Sequence, residues 1–159
     1  MKIAVIGIGQ SMRGDDAAGL EAVRRWQEQF PETSQRPELH VELSESPGIA
    51  LIDELDGCDA GVLVDAVQSF AGPGTLHRLD PEQLSAFGSD AKSAHGWGVA
   101  ETLQLDRQLN PTRQQIPIRV IGIEAGQVSV GAGLSLEVKE ALPTACEAIQ
   151  REVEELLTV

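Results

Sequence analysis

The sequence predicts a three-layer α/β/α fold: a mainly parallel, twisted sheet of about five strands, with one antiparallel edge strand and helices on both faces. Three observations predict it. Short, continuous, β-branched runs alternate with stretches whose apolar residues recur at three and four. The runs are apolar on both faces, as in a parallel sheet covered on both sides. One shorter run is more polar, as an edge strand is. The 159 residues are enough to bury a core. They contain no internal repeat, low-complexity stretch or linker, so residues 1–159 are expected to form a single domain.

The elements follow in order. Lys2 to Ile8 is a buried strand that runs into Gly7-Ile8-Gly9-Gln10. Gly14-Asp15-Asp16-Ala17-Ala18-Gly19 then opens a helix, with Gly19, Ala22, Val23, Trp26 and Phe30 on its apolar stripe and Pro31 stopping it. Leu39 to Leu43 alternates as a second strand. Ile49, Leu51, Ile52 and Leu55 suggest a short helix after Pro47. Ala60 to Val67 is a second continuous buried strand. Gly72-Pro73-Gly74 turns the chain into the polar edge strand, Thr75 to Leu79. A helix is expected over His95 to Leu109, and a third buried strand over Pro117 to Ile123. Leu142, Ala145, Ile149, Val153 and Leu156 mark the closing helix. Pro143 is placed in its first turn, with Leu136 to Ala141 a separate short turn.

Composition narrows the function. Twelve basic against 25 acidic residues give a net charge of −13, which argues against nucleic acid and against an anionic membrane surface. No run is apolar enough for a secretory leader or a membrane span, so the cytoplasm is the expected compartment. The two cysteines, Cys58 and Cys146, are far apart in sequence and read as small buried hydrophobes with free thiols. No paired histidine can be named to make Cys58 a nucleophile.

Three side chains carry the chemistry. In an open α/β sheet, ligands bind beyond the carboxyl ends of the strands. Asp16 follows the first strand, Asp65 lies within Val64-Asp65-Ala66-Val67, and His95 opens a helix after Ser93-Ala94. Two carboxylates and an imidazole suit a first-row divalent ion such as nickel, zinc or manganese. A carboxylate inside an apolar run is costly unless paired, hydrogen-bonded or metal-bound. The alternative is that Asp65 caps the following turn. Asp15 and Asp16 could simply complement a helix N-terminus, and one of the pair is expected to do only that. His95 could be a plain N-terminal polar residue; His40 and His77 read as structural or exposed. A dinucleotide site is disfavoured. Met12 stands where a third glycine would be, and the two aspartates would repel a pyrophosphate. There is no P-loop, Gly-x-Ser-x-Gly elbow or His-Glu-x-x-His pair.

Read together, four blocks resemble the hydrogenase maturation endopeptidases. They are Gly7-Ile8-Gly9-Gln10 through Gly14-Asp15-Asp16; Val64-Asp65-Ala66-Val67 with Gly72-Pro73-Gly74-Thr75; Ser93-Ala94-His95; and Gly122-Ile123-Glu124 with Gly133-Leu134-Ser135. They occur in order over nearly the whole chain. Gln10 stands where the family usually has Asn, and Ala17 where Gly is common. The resemblance implies a phosphorylase/hydrolase-like fold. It also implies an endopeptidase that removes the C-terminal extension from a nickel-iron hydrogenase large-subunit precursor after nickel insertion. The precursor's nickel would be the recognition signal, and zinc or cadmium could occupy the same position. Asp16, Asp65 and His95 carry over as the metal-contacting set. Asp16 or Asp65 is expected to act as general base, in the manner of an aspartyl protease. A monomer is expected, because a large precursor needs a free face. The competing expectations are a non-catalytic nickel-handling or assembly protein of the same fold, a nucleotide-binding module, and a spore-type protease of related architecture.

Overall fold

The computed structural model describes residues 1–45, 49–83, 99–112 and 116–159. Five strands form one sheet: β1 (Ile3–Ile8), β2 (Leu39–Ser44), β3 (Ala60–Val67), β4 (Leu76–Leu79) and β5 (Ile118–Glu124), in the order β2-β1-β3-β5-β4. β1 pairs in parallel with β2 and β3, and β3 with β5. β4 pairs antiparallel with β5 at the edge. The order runs outward in both directions from β1, so the chain reverses its winding between β1 and β3. Doubly wound sheets bind their ligands in the crevice at such a point.

Each strand divides its side chains between two cores, because successive residues point to opposite faces. Ile3 and Val5 of β1, and Val62 and Val64 of β3, face α1 (Ala18–Gln29) and the C-terminal helix. Ala4, Ile6, Ile8 and Leu63 face α3 (Ile49–Glu54) and α4 (Val99–Leu109). This split is the physical content of the three layers. α1 lies flush on the sheet because Gly19 has no side chain. A Cβ there would come within 2.2 Å of the Val64 carbonyl oxygen and 2.5 Å of that of Ile8. The fully buried Trp26 also donates its indole N–H to Gln150 of the C-terminal helix at 2.9 Å.

The structure departs from the sequence reading in several places. Gly14–Ala17 forms a 3₁₀ turn, and the α-helix proper begins only at Ala18. Pro31 ends α1 but also starts a further turn, α2 (Pro31–Ser34), with proline at its favoured first position. The helix expected over His95 to Leu109 is present over its described part, Val99–Leu109, and residues 95–98 lie outside the described residues.

The clearest correction concerns Pro143. The last helix, α5, spans Leu136–Leu157 without a break, and Pro143 lies inside it. An interior proline loses one hydrogen bond and costs roughly 3 kcal/mol. The buried stripe extends further back than expected, however. Val138 and Leu142 are fully buried and continue the line of Ala145, Cys146, Ile149, Val153 and Leu156. At roughly 1.5–3 kcal/mol for each large side chain, their burial offsets the proline. Cys58 and Cys146 are buried and neither is in a disulfide, as expected. Among the described residues, no helix is long and apolar enough to cross a membrane.

Candidate active site

The two sequence-predicted aspartates both lie at the carboxyl end of the sheet, beside the reversal between β1 and β3. β1 and β3 pair as far as Gly7 and Val64, so Asp65 is the first β3 residue beyond that ladder. Its register partner on the other side is Gly122 of β5. Asp65 is 7% exposed at the carboxyl end of an otherwise apolar strand. Asp16 lies in the 3₁₀ turn, which packs against β3, and is 4% exposed.

The loop between β1 and this turn is tied down locally. The Gln10 N–H donates to Asp16 Oδ2 at 3.1 Å. Gly9 is required by the same close approach: a Cβ would stand 2.1 Å from the Asp16 carbonyl oxygen. The Ser11 N–H donates to Glu45 at 2.8 Å, which anchors the loop to the end of β2. Bonds from the Ser11 hydroxyl and N–H hold the Glu45 carboxyl below its ordinary value.

Asp15 and Asp16 have separate roles. Asp15 is fully buried. Its Oδ2 accepts the N–H groups of Gly126 and Gln127 at 2.8 and 2.9 Å and the Ser135 hydroxyl at 2.8 Å. Its Oδ1 accepts the Ser135 N–H at 2.7 Å. The Asp15 N–H in turn donates to the Gln127 carbonyl at 2.6 Å. Asp15 therefore fastens the loop after β5 to the turn that carries Asp16. The sequence reading expects one of the pair only to complement its helix N-terminus; Asp15 instead grips a loop more than a hundred residues away.

Sequence reasoning missed Glu124 as a structural centre. It closes β5 opposite Val67, is 2% exposed, and accepts the Ser69 N–H at 2.8 Å and the Ser69 hydroxyl. His77 Nε2 lies 3.2 Å from the same carboxylate, which gives that histidine its structural role. The signal was available: like Asp65, Glu124 is a carboxylate at the end of an apolar strand run. His95 lies outside the described residues. Among the described residues, no three His, Cys, Asp or Glu side chains form a group that could hold a metal ion. The structure therefore brings Asp16 and Asp65 to one end of the sheet without testing the third ligand.

Fold and site together define a doubly wound α/β protein with an acidic, rather than phosphate-binding, switch point. Comparison with known proteins makes this specific. The family model for hydrogenase maturation protease matches residues 41–152. The chain is similar to the hydrogenase expression/formation protein HupD of Thiocapsa roseopersicina, 29% identical over 92% of this chain and 65% of HupD. It thus spans slightly less than two thirds of that relative. It is 26% identical to the coenzyme F420 hydrogenase subunit delta of Methanothermobacter thermautotrophicus, over 96% of this chain and 94% of the other. Its structure resembles the [NiFe] hydrogenase maturation protease HybD from Thermococcus kodakarensis, with a TM-score of 0.75 and 25% identity over 96% of this chain and 99% of HybD. The chain belongs to the hydrogenase maturation protease family, a family of peptidases.

Proposed function

We propose that this protein removes the C-terminal extension of a nickel-iron hydrogenase large-subunit precursor once nickel has been inserted. The observation that carries the reading is the pair of buried carboxylates, Asp16 and Asp65, at the switch point of a sheet belonging to this family. The names of HupD, a hydrogenase expression/formation protein, and HybD, a [NiFe] hydrogenase maturation protease, support it. Nickel enters as part of the substrate. Asp16, Asp65 and His95 are its contacts, and zinc or cadmium would fit the same donors. Docking on the substrate's metal fixes the scissile peptide in the cleft, and such positioning can supply much of the rate enhancement. One of the two carboxylates takes a proton from the attacking water and returns it to the departing amine nitrogen.

A second reading has its own support: the relative from Methanothermobacter is named a hydrogenase subunit, not a protease. On that reading the chain binds a hydrogenase component without cutting it. Mass spectrometry of a nickel-loaded precursor incubated with the protein separates the two. Loss of a C-terminal peptide, dependent on nickel, is the expected result. Asp16→Asn or Asp65→Asn should slow it by about 10²-fold or more while leaving the fold intact, as removal of a general base does. An unchanged mass with a stable complex would replace the protease by an assembly role. Full activity of Asp16→Asn would remove that residue from the reaction.

A further inference from the structure

The loop that follows Asp65 carries a side chain the catalytic reading does not use. Phe70 is one of only three phenylalanines in the chain and is 92% exposed. Its backbone has φ = 68°, the sole non-glycine residue with positive φ among the described residues. An aromatic residue in the left-handed region is a genuine outlier, and such strain persists only where neighbouring structure over-determines it.

Glu124 supplies that constraint. It grips the N–H and hydroxyl of Ser69, the residue just before Phe70, from a buried position at the end of β5. The next loop residues are held too: Gly74 donates its N–H to the Glu124 carbonyl at 2.8 Å, and Thr75 accepts the Glu124 N–H at 2.8 Å. The chain is thus anchored on both sides of Phe70, which is left projecting.

The loop that carries Phe70 reaches the loops around Asp15 and Asp16. Pro73 packs on Gly126, which donates to Asp15 beside Asp16. The Gly131 N–H donates to the Met12 carbonyl at 2.8 Å, joining the loop after β5 to the loop before Asp16. Met12 and Val130 on these loops are 68% and 76% exposed. Large apolar side chains are thus left outside on loops at the end of the sheet that holds both aspartates.

We propose that Phe70 is a substrate-contacting residue that packs against an apolar side chain of the protein substrate when the substrate seats over Asp16 and Asp65. The inference rests on the processing function proposed above. That function requires another protein to cover this end of the sheet, and an exposed aromatic held rigidly at its rim is a preorganised anchor for it.

The test measures processing kinetics and direct binding of nickel-loaded precursor by wild type, Phe70→Ala and Phe70→Gly. Phe70→Ala should raise KM and Kd about tenfold or more, with kcat within about twofold, as loss of an apolar anchor would. The loss should be little changed by added salt, because the lost contact is not ionic. Phe70→Gly should bind as weakly yet melt no lower than wild type, since glycine adopts this φ without strain. A merely structural role would couple weaker binding to a lower Tm. Wild-type KM and Kd in Phe70→Ala would overturn the proposal while leaving the protease reading intact. Wild-type protein that neither binds nor cuts the precursor would overturn both.

Discussion

Replacing Asp15 by alanine tests the claim that one buried carboxylate fixes the loop after β5. In Asp15→Ala the N–H groups of Gly126, Gln127 and Ser135 all lose their acceptor, as does the Ser135 hydroxyl. A buried donor left unsatisfied costs about 1–3 kcal/mol, so the three backbone N–H losses alone would total roughly 3–9 kcal/mol. Water can enter at these part-buried contacts, which brings the expectation to about 3–5 kcal/mol, the range for breaking a buried charged interaction. Asp15→Asn is the finer probe. If its oxygen keeps the Oδ2 position, its NH₂ group faces the Ser135 N–H, donor against donor, at a cost of about 1–3 kcal/mol. Urea denaturation reads both variants as a lower midpoint at unchanged slope. Thermal melting should drop by roughly 2–4 °C for each kcal/mol lost. A loss under about 1 kcal/mol in Asp15→Ala, no larger than many surface substitutions give, would refute the clamp.

Three further predictions concern other parts of the fold. Gly19→Ala should destabilise by about 3 kcal/mol or more, because its Cβ would strike the backbone oxygens of Val64 and Ile8; the usual gain of a helical glycine-to-alanine change would appear as a higher Tm and contradict this. Glu152 is 3% exposed and is approached by the half-exposed Arg78 and Arg119, so Arg78→Ala/Arg119→Ala should cost about 3 kcal/mol by chemical denaturation; adding Glu152→Met should restore most of it. Burial pushes the Glu54 carboxyl above its ordinary 4.5. The folded state thus holds that proton more tightly, and the stability tied to it is present below 4.5 and lost as pH rises through the raised value. Glu54→Gln should therefore raise Tm near pH 7 and give no gain below about pH 4.

The sequence by itself determined the layers and two of the acids. Strand runs that are apolar on both faces, separated by helical stripes, admit few arrangements other than a covered parallel sheet. Asp65 stood out because a carboxylate in Val-Leu-Val-Asp-Ala-Val needs a reason to be there, and Asp16 because two acids at a helix start cannot serve a phosphate. Local pattern could not divide Asp15 from Asp16, since adjacent acids look alike until the chain's later loop returns to claim one of them. Nor could it find the Glu124–Ser69 clamp, whose members are 55 residues apart. Pro143 misled for the converse reason: a strong local rule was overruled by Val138 and Leu142, whose burial depends on the sheet beneath them. Periodicity and residue chemistry are written along the chain. Which acid is gripped, which proline is tolerated and which aromatic is held outward depend on partners brought from afar, and only the tertiary structure decided those.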